Sequence, residues 1–182
     1  MDWILDFDAG ILLFIQEYIR QDFLTPLVKF ITHLGDAGWF WIALSVVLLF
    51  FKKTRRAGIT ALLALLIGAL ITNVALKNLV ARIRPYEVIE DLHLLIEKQS
   101  DYSFPSGHTC ASFAAGLVYL KMLPRRYGVA AILLAVLIAF SRLYVGVHYP
   151  TDILGGILVG SFAAWAAYRL SEGIGKKYYN AK

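Results

Sequence analysis

Two histidines and one aspartate carry the chemistry this sequence offers. Asp152 follows His148 by four residues, and Pro150 between them suits the first turn of a helix. A carboxylate that close can hold one imidazole nitrogen and leave the other facing a substrate. His108 comes directly after Pro105, Ser106 and Gly107. Ser106 is a good N-cap, Gly107 lets a ligand approach the backbone, and the free N–H groups of a helix start favour an anion. Lys77, Arg84 and Arg142 supply positive charge, with the arginines offering forked donors that match phosphate oxygens. Two imidazoles, an orienting carboxylate, three cations and an anion-binding helix start suit phosphoryl transfer without metal.

Each of these groups alone has a plainer explanation. A single arginine at a helix end reaches for the membrane interface, a single histidine near a rim is structural, and Pro-Ser-Gly is an ordinary turn. Their convergence on one predicted face singles them out, because charge at membrane depth is costly and marks function. His33 and His93 have no such company and are read as structural. Cys110 is the lone cysteine, which leaves no internal disulfide and no thiolate metal cluster, and it reads as a small packing residue.

The elements that must position these side chains are membrane helices. The 182 residues are 59% hydrophobic and 17% charged, with a mean hydropathy of +0.64, more apolar surface than a soluble core of this length can use. Length alone predicts one domain, residues 1–182. The opening Met1-Asp2-Trp3 lacks the basic region of a cleaved signal. The net charge of +5 lies in short clusters between apolar runs, so orientation in a membrane accounts for it and a nucleic-acid partner does not.

Five stretches free of Asp, Glu, Lys and Arg are expected to span: Ala37–Phe51, Ala57–Leu76, Tyr102–Leu120, Tyr127–Ser141 and Ile153–Tyr168. Several fall short of the roughly 20 residues that cross a bilayer and must extend into their polar flanks. Residues Asp2 to Gly35 read as one or two amphipathic helices on the interface, with a broken sixth span as the alternative. Gly156 and Gly160 form a GxxxG expected to pack within the bundle. The basic clusters Lys52–Arg56 and Lys121–Arg126, with Lys176 and Lys177, fall on one side by helix count and are expected in the cytoplasm. Lys77, Arg82, Arg84 and Arg142 then lie on the other side, where an anion would account for them. The acidic loop Tyr86–Ser103 reads as a solvated connection, with a lid over the site as the alternative.

Taken together, Lys77 with six residues to Arg84-Pro85, the run Pro105-Ser106-Gly107-His108, and Ser141-Arg142 with five residues to His148 and three more to Asp152 resemble the three-part signature of the type 2 phosphatidic acid phosphatase family. That family also covers lipid pyrophosphate phosphatases and vanadium haloperoxidases. All three parts match. The resemblance implies that His148 is the nucleophile taking the phosphoryl group, Asp152 its orienting partner and His108 the donor to the leaving oxygen. Lys77, Arg84, Ser106, the Gly107 N–H and Arg142 would hold the phosphate oxygens. It implies a six-helix bundle, against the five spans counted here. No set of Cys, His and carboxylate residues has convincing zinc spacing and three cations already serve the phosphate, so neither a metal nor another cofactor is expected. The apolar spans exclude a soluble haloperoxidase. The expected enzyme is a lipid phosphatase of the plasma membrane with its site on the extracytoplasmic side and no required protein partner. Undecaprenyl pyrophosphate is the leading substrate. Phosphatidylglycerol phosphate, phosphatidic acid and diacylglycerol pyrophosphate are the alternatives, and a non-catalytic lipid phosphate carrier is a remote one.

Overall fold

The computed structural model describes the backbone of residues 2–179 and the side chains of residues 3–173. The side chains of Lys176 and Lys177 therefore lie outside the described residues. All regular elements among those residues are helical. They are α1 (Asp2–Phe14, continued as a π-helix over Ile15–Ile19), α2 (Thr25–Leu34), α3 (Trp39–Leu49), α4 (Arg55–Ala69, continued as a π-helix over Leu70–Leu76), α5 (Lys77–Val80), α6 (Pro85–Val88), α7 (Gly107–Met122), α8 (Arg125–Tyr144) and α9 (Pro150–Tyr179).

Among the described residues, Arg55–Val88, Arg125–Tyr144 and Pro150–Gly173 are each long and apolar enough to cross a membrane. Helices α2 and α3, bent against each other by 46°, qualify as a fourth span only together. The bend is built by Asp36–Gly38, where Ala37 and Gly38 take φ of +49° and +69° in succession. For the alanine this left-handed conformation costs roughly 1 kcal/mol, which the surrounding packing must offset.

Helix α7 has 16 residues, about 24 Å, and is the innermost element. The expected run from Tyr102 is helical only from Gly107, because Tyr102 to Ser106 are irregular and Ser106 caps the helix. Its neighbours come close because small residues face it. A Cβ at Gly156 would stand 2.7 Å from the Ser106 carbonyl oxygen, and one at Gly160 would stand 2.6 Å from that of Cys110. The GxxxG of α9 is thus a packing face inside the bundle, as expected. Buried polar pairs pin the core further: Trp41 Nε1 donates to Ser112 Oγ at 3.0 Å, and Ser45 Oγ lies 2.7 Å from the Tyr119 hydroxyl. The outer surfaces of α8 and α9 present Leu133, Val136, Leu158, Phe162 and Trp165, all exposed, as lipid-facing helices do.

Helix α1 lies against one end of the bundle. Its buried Asp8, Leu12 and Ile15 face the loops there, while Trp3, Phe7, Phe14 and Tyr18 point outward. Gln16 Nε2 donates to the Asp91 carbonyl at 2.7 Å, and Arg20 Nε donates to that of Tyr144 at 2.7 Å. These polar contacts all lie at that end, which fits an amphipathic interfacial helix. The opposite end gathers the basic clusters: Arg56 Nη2 donates to the Ser171 carbonyl at 3.3 Å, and Lys121 sits 5.5 Å from the Tyr168 ring.

Candidate active site

Three segments meet at the α1 end of the bundle. The first is the junction of α8 and α9. Pro150 opens α9, as the sequence suggests, with His148 just before it and Asp152 in its first turn. His148 Nδ1 lies 3.2 Å from Asp152 Oδ2. Both side chains are buried. The same carboxylate accepts from the Tyr149 N–H at 2.9 Å, from Ser103 Oγ, and through Oδ1 from Arg82 Nη1 at 2.8 Å. With so many donors around it, Asp152 accepts from Nδ1–H of His148, which leaves Nε2 as the bare nitrogen. Arg84 Nη1 approaches that Nε2 at 3.4 Å as a donor, which fits the same tautomer. Burial pushes the His148 pKa down to about 3, against the raising effect of Asp152 and with further lowering by Arg84 and Arg142. The imidazole is therefore neutral at ordinary pH and keeps its Nε2 lone pair.

The second segment is the start of α5 and the turn after it. Lys77 and Arg84 are both buried, and both pair with Asp101 of the acidic loop. Arg84 also donates from Nη1 to the Val147 carbonyl at 2.8 Å, tying it to the His148 loop. Asp101 is half exposed. Burial alone would raise its pKa, but the pairs with Lys77 and Arg84 hold it down at about 2. The loop is thus neither a free solvated connection nor remote from the chemistry: its carboxylate bridges two of the expected phosphate cations. Arg82, whose charge the topology left unexplained, is answered by internal anions. It donates to Asp8 at 2.7 Å, to Asp152 at 2.8 Å and to Thr151 at 2.6 Å, and stacks 3.8 Å from the Tyr149 ring centre.

The third segment is the start of α7. Ser106 Oγ accepts from the Thr109 N–H at 3.4 Å and from its hydroxyl at 3.0 Å, so it is an N-cap as expected. A Cβ at Gly107 would lie 3.7 Å from Lys77 Nζ and 3.5 Å from Asn73 Oδ1, so this backbone borders the cations. His108 Nε2 lies 2.8 Å from Asp36 Oδ1, and the other oxygen of Asp36 lies 2.8 Å from His33 Nδ1. His33, read from sequence as having no company, shares a carboxylate with His108.

Arg142 is buried in the last turn of α8 and donates from Nη1 to Thr32 Oγ1 at 2.7 Å. Its Nε has no hydrogen-bond partner, and no carboxylate lies within 4.0 Å among the described residues. A buried guanidinium without a carboxylate calls for another anion. The eight residues singled out by spacing thus share one end of the bundle. Asp36, Asp101, Ser103 and Thr32 are neighbours that their types and spacing did not reveal.

A cavity of about 1320 Å³ opens beside this site. Lys77, Asp101, Gly107 and His108 border its polar end, and Ile42, Leu62, Leu65 and Leu66 its apolar flank between α3 and α4. It stops short of His148, Arg84 and Arg142, with Asp101 at the boundary. A polar head and an apolar chain on one molecule would suit such a shape.

The PAP2 superfamily model matches residues 57–176, a stretch that holds all eight residues. An undecaprenyl-diphosphatase of Sulfolobus acidocaldarius is 34% identical over 149 residues, 82% of this chain and 71% of that protein. Phosphatidylglycerophosphatase B of Bacillus subtilis is 35% identical over 155 residues, 78% of this chain and 72% of that protein. In three dimensions the chain is similar to the crystal structure of a transmembrane PAP2-type phosphatidylglycerolphosphate phosphatase from Bacillus subtilis. That match has a TM-score of 0.78 at 31% identity, covering 96% of this chain and 89% of that one. With the motif residues gathered at one end of a helical membrane bundle, these likenesses make the chain a member of the PAP2 superfamily.

Proposed function

We propose that the protein is a lipid diphosphatase that converts undecaprenyl pyrophosphate to undecaprenyl phosphate at the extracytoplasmic face of the plasma membrane. The observation that carries the catalytic part is the buried His148, neutral and held through Nδ1 on Asp152 so that Nε2 stays free beside Arg84. In this scheme Nε2 bonds to the terminal phosphorus, and the bond to the bridging oxygen breaks with its electron pair on that oxygen. His108 gives the oxygen a proton. Water then attacks the phosphohistidine and loses its proton to His108, while the P–N electrons return to Nε2. Lys77, Arg84 and Arg142, with Ser106 and the Gly107 N–H, neutralise the phosphate oxygens, and the scheme needs no metal.

The apolar flank of the cavity supports a lipid substrate, its Leu62, Leu65 and Leu66 offering a wall for a hydrocarbon chain. Similarity to the archaeal undecaprenyl-diphosphatase supports the isoprenyl choice. Similarity to phosphatidylglycerophosphatase B favours phosphatidylglycerol phosphate as the second reading. The orientation rests on the basic clusters at the end opposite the site. Residues 1–182 would act as one unit with five passes, α2–α3, α4–α5, α7, α8 and α9, and α1 on the outer interface.

The test is phosphate release by purified protein in detergent from undecaprenyl pyrophosphate, phosphatidylglycerol phosphate, phosphatidic acid and diacylglycerol pyrophosphate, with excess chelator throughout. The highest kcat/KM is expected on undecaprenyl pyrophosphate, with inhibition by vanadate. Preference for phosphatidylglycerol phosphate selects the second reading, and binding without release from any of the four makes the protein a carrier. For orientation, a cysteine at Glu90 is expected to react with an impermeant thiol reagent in intact cells and one at Lys53 is not. The reverse pattern turns the site to the cytoplasm.

A further inference from the structure

His148 has its orienting carboxylate four residues away in its own motif. His108 has none in its motif, and the structure supplies one from another helix. Asp36 reaches His108 from the bend between α2 and α3, 72 residues earlier in the chain. The local backbone is shaped for that approach. A Cβ at Gly35 would lie 2.6 Å from His108 Cδ2, so only a glycine lets the chain lie against the imidazole. Ala37 and Gly38 then turn the chain through two left-handed conformations. Strain of this kind, kept where it brings two titratable side chains together, marks a functional arrangement.

We propose that Asp36 is the positioning residue for His108: it accepts from Nε2–H and so leaves Nδ1 as the nitrogen that serves the departing oxygen. The protein then has two aspartate–histidine pairs of opposite sense. Asp152 holds Nδ1 of His148 and frees Nε2, whereas Asp36 holds Nε2 of His108 and frees Nδ1. A carboxylate on the far nitrogen stabilises the imidazolium, the form that can give a proton away. That support is needed, because Lys77 and Arg142 both lie near enough to His108 for their charges to oppose a third cation. When Nδ1–H passes its proton to the leaving oxygen, Nε2–H stays on Asp36 and the ring keeps its direction. It is then set to take the proton of the attacking water. His33, on the other oxygen of Asp36, is an exposed second donor that fixes the carboxylate in its rotamer. The inference rests on the reading of His108 as proton donor.

The experiment compares Asp36→Asn, His108→Ala and the double variant on two substrates, a lipid phosphate monoester and p-nitrophenyl phosphate. The monoester's alkoxide needs a proton and the nitrophenolate does not. His108→Ala is expected to lower kcat on the monoester by about 100-fold or more and on the nitrophenyl ester by under about tenfold. Asp36→Asn is expected to lower kcat on the monoester by about tenfold or more, with KM within about twofold and the nitrophenyl rate within about threefold of wild type. The retained nitrophenyl rate is the internal evidence that the variant is folded. In the double variant the losses are not expected to multiply, and it falls within about threefold of His108→Ala alone. Equal losses by Asp36→Asn on both substrates, or losses that multiply in the double variant, overturn the positioning role while leaving His108 as donor. Equal losses by His108→Ala on both substrates overturn the donor reading itself.

Discussion

The two histidines of the site sit in opposite kinds of surroundings. His148 is sealed in, with its aspartate on the next helical turn and that aspartate locked by donors from Ser103, Tyr149 and Arg82. His108 borders the cavity, and its aspartate is half exposed and comes from a strained turn on another helix. In the proposed scheme His148 bonds to phosphorus and needs one fixed direction, whereas His108 exchanges protons with a leaving oxygen and then with water and needs access to both. The contrast teaches how, under that scheme, one pairing of residue types would serve two duties, divided by burial and by how firmly the carboxylate is held.

The contrast makes predictions that differ in size. Asp152→Asn is expected to have the largest effect, because the amide cannot accept from all the donors now converging on it and releases the His148 tautomer. A loss of about 10³-fold or more in kcat is expected, equal on lipid monoester and nitrophenyl ester, since the nucleophile serves every leaving group. A loss confined to the poor leaving group would give Asp152 and Asp36 the same duty and erase the distinction. Arg142→Lys follows, with an expected loss of at least about tenfold in kcat/KM, about 1.4 kcal/mol. The charge survives but the forked donor and its bond to Thr32 do not. Near-normal activity would make Arg142 a structural residue.

Asp101→Asn is expected to act in the other direction. It removes the carboxylate bridging Lys77 and Arg84, which in the proposed scheme an incoming phosphate displaces. Vanadate inhibition is expected to tighten by about threefold or more, an electrostatic effect of under about 1 kcal/mol at a half-exposed group. Weaker inhibition would mean that Asp101 supports the cations and does not compete with the ligand.

A last prediction concerns stability against pH and leaves turnover aside. His148 has a pKa near 3 when folded, and an unfolded histidine titrates near 6.5. A depressed folded pKa means that acid favours the unfolded chain. The contribution is fully present above about pH 6.5 and is lost as the pH falls from there toward 3. Between pH 6.5 and 5 the wild type is expected to lose about 1.6 kcal/mol more than His148→Asn in denaturation in detergent. Identical losses would mean that the imidazole is protonated in the folded protein.

The parts of this site that were legible in the sequence are those whose geometry lies within one turn of backbone. His148 and Asp152, Pro150 at the first turn of α9, and the Ser106 cap with Gly107 follow from spacing. Asp36 did not, because a contact spanning 72 residues depends on how α2–α3 packs beside α7, and nothing local to Asp36 encodes that. Asp101 was visible only as one acid in an acidic loop. The helices were legible through their charge-free centres, and α8 extends into its polar flanks as expected. It starts at Arg125 and runs through Arg142 to Tyr144, because a buried arginine with a hydrogen-bond partner continues a helix as well as any side chain does. The start at Tyr102 was misread, since lack of charge does not make a segment helical.

Asp8 ties α1 to the rim through an arginine that α9 also uses. Asp8 can meet Arg82 once α4 and α5 are in place, and that pair neutralises a carboxylate and a guanidinium otherwise left uncompensated at the rim. Thr151 and Asp152 join them only about 70 residues later. In the finished fold Arg82 is thus shared between α1 and α9. A chain lacking α9 would keep the partners of the Asp8–Arg82 pair but lose the carboxylate that holds the His148 imidazole, so the rim charge would be balanced while the imidazole was left without its orienting group.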